Sequence, residues 1–431
     1  MILTDRWTPM DFHAEQHRLW NSSARFQVVP AGRRSGKTEF AKRIGIRKAL
    51  GPQKFENAWY VFAAPTHQQA KRIYWDDLKQ MVPPRLRLGH PRESGMLIKL
   101  YNGAKIQVLG LDKPYRIEGP PLDWICLDEY GNMKESVWKD HVRPALSDRL
   151  GQAMFIGVPE GRNHYWNTYK FAQVESNATW EAFSWVSADI LPSGEIEAAR
   201  KELDPRSFEQ EYEASFLNFE GRVYYTFDPA IHASKRLSYN PKLDLIFMFD
   251  FNVSPGVAAV GQEQYYRDEL CTMILDEVWI PNNSNTEMVC KELIKRWGHH
   301  KLNALAYGDP TGGNRGSAKL SGSDWDIIKT HLRGHFKGRY SERVPRHAGP
   351  EGSRINAVNR RILSADQTVR LFVNRDCERI IMDFEGVTYK AGIKEIDKSS
   401  SPMLTHISDA IGYYVAHRFP IVGSGLTVEA A

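Results

Sequence analysis

One eight-residue run constrains this chain more than any other: AGRRSGKT, Ala31 to Thr38. The strand-like run FQVVPA, Phe26 to Ala31, leads into it, and a helical pattern from Thr38 to Leu50 follows. Strand, glycine-bearing loop and helix in that order let backbone N–H groups and a helix N-terminus wrap phosphates. In that setting Lys37 reaches the β- and γ-phosphates, the Thr38 hydroxyl ligates Mg²⁺, and Gly36 lets the backbone approach closely. Ala31 stands where such loops usually begin with glycine, and Gly32 comes one place later. Arg33, Arg34 and Ser35 complete the loop, the two arginines being placed to face phosphate or a neighbouring subunit.

A second element fits the first. LDWICLDE, Leu122 to Glu129, is an apolar strand ending in two carboxylates. Beside a phosphate loop, Asp128 would hold the Mg²⁺ and Glu129 would orient and activate the attacking water. Three further features surround them. Gln16, upstream of the loop, is a candidate reader of the adenine edge. Arg116, in KPYRIEG, could bring positive charge to the γ-phosphate, in its own subunit or across to a neighbour. GVPEG, Gly157 to Gly161, ends the next strand and could couple hydrolysis to motion. The ordinary alternatives are a surface glutamine, a salt bridge and a plain turn.

With 431 residues, two domains are expected. The first half alternates strands (Ala58 to Pro65; a hairpin from Met96 to Gly110 turning at Asn102-Gly103; AMFIGVP) with helices, as in a doubly wound, largely parallel sheet. Arg200 to Phe219 reads as a charged helix, and a linker is placed at 216–240. The expected domains are therefore 1–215 and 241–431. In the second half, LIFMFDF, CTMILDEVWI and NALAYGDP read as strands, Thr311 to Gly352 as loop-rich, and SRINAVNRRILS and Ser408 to His417 as helices. No run of about 18 apolar residues occurs, and the polar start gives no signal peptide. Cys126, Cys271, Cys290 and Cys377 stand apart, as expected of reduced thiols rather than a zinc site.

The second half offers carboxylates instead of a phosphate loop. Asp250 lies in MFDFNVSP, Asp309 closes AYGDP, and Asp409 opens the last helix in HISDAIGYYV. Singly, each is a turn residue or a cap. Together, acids from non-adjacent elements could hold two Mg²⁺ or Mn²⁺ ions and cleave a phosphodiester. Glu277 is a possible fourth ligand and equally a strand-end charge, and His406 could face the same site. Net charge is +5, but residues 311–361 alone carry eleven Lys/Arg against four Asp/Glu. Arg333, Lys337, Arg339, Arg343 and Arg346 in that stretch are candidates for DNA phosphate contacts.

Taken in order, AGRRSGKT, the Arg116 segment, LDWICLDEYG, GVPEG, MFDFNVSP, AYGDP and HISDAIGYYV resemble the large terminase subunit of tailed bacteriophages. The resemblance implies an α/β fold with an N-terminal P-loop domain of RecA/ASCE type and a C-terminal RNase H-like nuclease domain. It implies that Lys37, Thr38, Asp128 and Glu129 carry ATP hydrolysis with Mg²⁺, that Arg116 is an arginine finger, and that Asp250, Asp309 and Asp409 ligate the nuclease metals. The implied work is to cut concatemeric double-stranded DNA and drive it into a procapsid. The implied partners are a small terminase subunit, the portal protein and like subunits in a ring, with a monomer in solution and residence in the host cytoplasm. A helicase or repair nuclease is the alternative, but no second RecA-like lobe follows residue 220. An integrase would share the acids and not the loop.

Overall fold

The computed structural model describes residues 12–174, 179–217, 221–233, 235–251, 255–310, 323–390, 395–399 and 403–421. The chain forms two units: Met1–Ile196 with Glu209–Asn218, and Glu197–Phe208 with Phe219–Ala431. It therefore crosses from one to the other three times.

The first unit is built on seven strands: β1 (Phe26–Pro30), β2 (Trp59–Ala64), β3 (Leu97–Lys99), β4 (Lys105–Gly110), β5 (Trp124–Asp128), β6 (Gln152–Gly157) and β7 (Trp180–Ala182). Their order is β3-β4-β2-β5-β6-β1-β7, all parallel except the β3–β4 hairpin. β1, β2 and β5 are buried along their whole length, which their continuous apolar runs require of a sheet covered on both faces. The hairpin turns at Asn102-Gly103, where Gly103 takes φ +88° and the Asn102 side chain accepts from Ala104 N. The helix Lys37–Leu50 lies so close to the sheet that a Cβ on Gly45 would come within 2.8 Å of Phe62 and Trp124. Because β5, β6 and β1 are neighbours and parallel, their carboxyl ends open together, the place where such sheets take ligands.

The second unit carries a mixed sheet of β8 (Leu245–Asp250), β9 (Gly256–Tyr266), β10 (Glu269–Ile280), β11 (Ala304–Gly308), β12 (Tyr340–Glu342) and β13 (Leu371–Val373). The order is β12-β11-β8-β9-β10-β13, with β9 antiparallel to both neighbours. The helices Glu351–Ile362 and His406–Arg418 close one face, where Ile355, Val358, Ile407 and Ile411 join the core.

Three sequence expectations differ from this structure. Composition marks 216–240 as a linker, yet Val223, Tyr224 and Phe227 are 0%, 2% and 1% exposed in the core of the second unit. Expected helix Arg200 to Phe219 breaks at Asp204-Pro205, where Asp204 accepts from Ser207 N and starts a new helix, Pro205–Tyr212. The basic stretch from Thr311 to Gly352 is not simply loop. Its part 311–322 lies outside the described residues, but Asp324–Phe336 is helical. A Ser323–Asp326 capping box opens it. Trp325, Ile328, Leu332 and Phe336 fall at helical spacing and are buried, behind basic residues that mask them in a composition count. No helix among the described residues is long and apolar enough to cross a membrane.

Candidate functional sites

In the first unit, the loop between β1 and Lys37–Leu50 is held from below and from the side. Ala31 N donates to Gly157 O, at the end of β6. Gly32 N donates to Trp185 O, the Ser187 hydroxyl to Arg33 O, and Trp185 Nε1 to Ser35 O. A Cβ at position 32 would sit 2.6 Å from Ser187 N and Tyr212 O, so this close approach demands glycine. Gly36 takes φ +77° as the helix begins, and Arg34 also lies in the left-handed region at +59°. Arg33 and Arg34 are exposed. Arg33 pairs with Glu211, whose backbone carbonyl also accepts from Arg33 N.

Lys37 is buried, and its Nζ donates to Gly32 O at 3.2 Å. The Thr38 hydroxyl donates to Asp128 Oδ2 at 3.2 Å, and Tyr74 OH donates to the same oxygen at 2.7 Å. Asp128 Oδ1 accepts from Glu129 N at 2.9 Å. Glu129 takes φ +52°, and its carboxylate accepts from the backbone of Val158 in the GVPEG turn. Burial pushes both carboxyls above their ordinary values, and at Glu129 the neighbouring Asp128 adds to the rise. Burial pulls Lys37 down, while these two acids oppose the change. Gln16 is fully buried with neither amide atom hydrogen-bonded, and a Cβ on Gly36 would lie 3.7 Å from its Nε2. Ser35 Oγ is likewise buried without a partner. The structure thus brings Gln16, Gly32, Arg33, Ser35, Gly36, Lys37, Thr38, Asp128 and Glu129 to one place. Arg116 is different. It is exposed on the turn Pro114–Ile117 and makes no ion pair or side-chain hydrogen bond among the described residues. Sequence reasoning missed Tyr74, Trp185, Ser187 and Glu211, which carry no motif of their own.

In the second unit, Asp250 ends β8, Asp309 follows β11, and Asp409 lies in the first turn of His406–Arg418. All three act electrostatically on Tyr413. Its hydroxyl donates to Asp309 Oδ2 at 3.1 Å. Burial raises its phenol above the ordinary value against the pull of Arg354, and Asp309, Asp409 and Asp250 each add to the rise. Asp250 and Asp409 also have charged or ionisable partners. His406 Nδ1 is 3.4 Å from Asp250 Oδ2. Arg354 Nη2 is 2.7 Å from Asp409 Oδ1, and Lys398 Nζ is 3.6 Å from Asp409 Oδ2. Among the described residues, no three His, Cys, Asp or Glu side chains are gathered so as to hold a metal ion. Glu277 accepts from Arg379 N and Ile380 N and so caps the helix Glu378–Gly386. Of the basic candidates, Arg333, Lys337, Arg343 and Arg346 are exposed. Arg339 instead donates to the carbonyls of His300 and Leu302. The four cysteines are buried and unpaired.

The fold and these sites define a two-unit α/β protein: a parallel-sheet unit with a lysine-bearing loop and an acid pair, and a mixed-sheet unit with three separated aspartates. A profile described as "Terminase large subunit, T4likevirus-type, N-terminal" matches residues 29–230. The large terminase subunit of Escherichia phage T5 is 27% identical over 214 residues, 48% of each chain. That of Thermus phage G20c is 25% identical over 252 residues, 51% of each. These matches span about half the length of the curated relatives. In fold, the chain is similar to the large terminase of a thermophilic bacteriophage, at a TM-score of 0.58 and 15% identity, covering 94% of this chain and 99% of that one. In the sequence of its first half the chain is similar to phage large terminase subunits, and in fold it is similar to one along nearly its whole length.

Proposed function

We propose that this chain is an ATP-driven DNA-packaging motor subunit that also cuts DNA, with the motor in its first unit and the nuclease in its second. The observation that carries the motor is the contact set at the carboxyl ends of β5, β6 and β1: Lys37 folded over the loop, and Thr38 and Glu129 both bonded to Asp128. The loop is a P-loop in this reading. Lys37 leaves Gly32 O to take the β- and γ-phosphates of ATP. Mg²⁺, when bound with ATP, supplies positive charge against those phosphates, and Thr38 and Asp128 sit close enough to hold it between them. Glu129, with its proton affinity raised by burial, takes the proton of the attacking water. Its bond to Val158 ties the state of the γ-phosphate to the GVPEG turn. Gln16 offers an unpaired donor and acceptor to the adenine edge. The large terminase of the thermophilic bacteriophage, similar in fold, has been crystallised with ATP-gamma-S. Arg116, exposed and unpaired, is free to act across a subunit boundary.

The second unit is read as an RNase H-like, metal-dependent endonuclease. Asp250 and Asp309, at the ends of adjacent parallel strands, fit a Mg²⁺ or Mn²⁺ ion, which would supply the charge to activate water for phosphodiester cleavage. The expected pair of ions does not fit as simply, because Asp409 is already matched by Arg354 and Lys398. Arg333, Lys337, Arg343 and Arg346 are the phosphate contacts for double-stranded DNA. A small terminase subunit, the portal of a procapsid in the host cytoplasm and a ring of like subunits are the partners this function needs, with the free protein monomeric.

The test separates the halves. Purified protein, Lys37→Ala and Asp309→Ala are each given supercoiled plasmid with Mn²⁺ or Mg²⁺, and phosphate release from ATP is followed in parallel with and without DNA. Wild type and Lys37→Ala cut, Asp309→Ala does not, and only Lys37→Ala loses DNA-stimulated ATPase activity. Plasmid cutting by Asp309→Ala equal to wild type would overturn the nuclease reading.

A further inference from the structure

Four buried polar atoms without a hydrogen-bond partner lie along one rim of the nucleotide loop: His13 Nε2, both amide atoms of Gln16, and Ser35 Oγ. Leaving such atoms unpaired costs stability, so a group of them beside a binding loop points to a ligand that supplies the partners. His13 belongs to no motif, yet the fold fixes its ring. Nδ1 caps the helix Ala14–Asn21 by accepting from Gln16 N at 3.4 Å. A neutral imidazole that accepts at Nδ1 carries its proton on Nε2. Burial lowers the proton affinity of the ring, against the pull of Asp189, and so favours this neutral form. Nε2–H is therefore a donor shut off from solvent, with nothing to donate to.

The ring meets Trp185 edge-on, with centroids 5.2 Å apart, and Trp185 Nε1 donates to Ser35 O. Gln16 Nε2 lies 3.7 Å from where a Cβ on Gly36 would stand. His13 and Gln16 thus approach the loop at two consecutive residues. Behind them, Leu19 anchors the helix in the core at 2% exposure. Phe12 and Trp20 pack on Phe40 of the helix Lys37–Leu50, with ring centroids 5.0 and 5.7 Å away.

We propose that His13 is a base-reading residue of the nucleotide site, its Nε2–H donating to N1 of adenine beside the 6-amino group and N7 taken by Gln16, so that the pair selects adenine over guanine. This rests on the reading of the first unit as an ATPase with Gln16 at the adenine edge. N7, the 6-amino group and N1 follow one another along one edge of adenine as acceptor, donor and acceptor. Gln16 brings a donor and an acceptor and His13 a donor, which matches that order. Guanine presents acceptor, acceptor and donor along the same edge. Its carbonyl oxygen would face Gln16 Oε1 and its N1–H would face His13 Nε2–H, leaving buried polar groups unpaired, the situation that rejects a wrong substrate most strongly.

Two substitutions separate the duties of the ring. His13→Asn keeps an acceptor for the helix cap, asparagine being a preferred cap, and drops the Nε2 donor. His13→Gln keeps an amide donor and drops the cap. Affinities of the full chain for ATP, GTP and 1-deaza-ATP, in which C–H replaces N1, are measured with Mg²⁺ by titration calorimetry, and melting temperatures alongside. His13→Asn should melt as wild type does and bind ATP about five- to tenfold more weakly. His13→Gln should melt lower and yet bind ATP more tightly than His13→Asn. Wild type should bind 1-deaza-ATP as weakly as His13→Asn binds ATP, and His13→Asn should weaken 1-deaza-ATP no further. Unchanged ATP affinity in His13→Asn, or an equal loss for 1-deaza-ATP, overturns the proposal and leaves His13 a helix cap. If wild type still prefers ATP to GTP and Gln16→Ala abolishes that preference, the adenine reading of Gln16 survives that failure. Equal binding of ATP and GTP by wild type removes the adenine reading and this proposal together, and no binding of either removes the ATPase reading beneath both.

Discussion

The two sites are built on opposite plans. In the first unit the functional groups touch one another: Lys37 the loop, Thr38 and Tyr74 Asp128, Asp128 the backbone of Glu129, Glu129 the turn at Val158. In the second, the three aspartates come from two strand ends and a helix and all act on Tyr413, while Asp250 also meets His406 and Asp409 meets Arg354. The first site is a connected network assembled before any ligand arrives. The second draws its acids from separate elements, and binding there must displace or share partners that already exist. Preorganised sites lose most when one member is removed, because the rest were positioned by it.

That contrast can be broken at its strongest point by Glu129→Gln. With the proposed base on the attacking water removed, ATP turnover should fall by about 100-fold or more, measured as phosphate release, while ATP is still bound and plasmid is still cut. Equal loss of cutting would mean that the sites are not independent. Tyr74→Phe sharpens the same comparison. It deletes one donor to a buried carboxylate, so a loss of about 1–3 kcal/mol of stability is expected, with ATP turnover down several-fold and cutting unchanged; calorimetry and paired assays read this.

In the second unit, burial raises the carboxyl of Asp383 to about 6, although it accepts from Ser408 N. A carboxyl raised in the folded state favours folding below its unfolded value near 4, and that contribution is lost as pH rises through 6. Wild type should therefore lose melting temperature between pH 4 and 7 more steeply than Asp383→Asn, by up to about 3 kcal/mol in stability. Parallel profiles would refute it. The smallest effect is expected at Glu277→Ala, which removes a helix cap and should cost about 1 kcal/mol. Plasmid cutting that stayed at the wild-type level would mark Glu277 as a cap and nothing more.

Legibility in the sequence followed contiguity. The loop and the Asp128-Glu129 pair could be read because the chemistry sits in consecutive residues flanked by continuous apolar strands. Tyr74, Trp185 and Glu211 could not, since each is an ordinary residue on its own element and meets the loop only once the sheet has formed. Asp250, Asp309 and Asp409 were found as acids at element ends, but nothing in their spacing announced Arg354, the partner of Asp409. Composition misled twice for one reason. Around Val223 and along Trp325 to Phe336, a few buried apolar residues are outnumbered by polar neighbours that face solvent, so periodicity carries what averages conceal.

The chain's triple passage between units has a practical consequence for anyone cutting the gene. A fragment stopped at Ile196, where the first unit first ends, would contain every residue of the AGRRSGKT loop and yet lack Glu211, which grips Arg33, and the carbonyl of Tyr212 that lies against Gly32. During synthesis, likewise, the loop must wait for residues beyond Phe208 to leave the ribosome before its last support arrives. Expression trials that end near residue 218 should give soluble, nucleotide-competent protein where those ending at 196 do not.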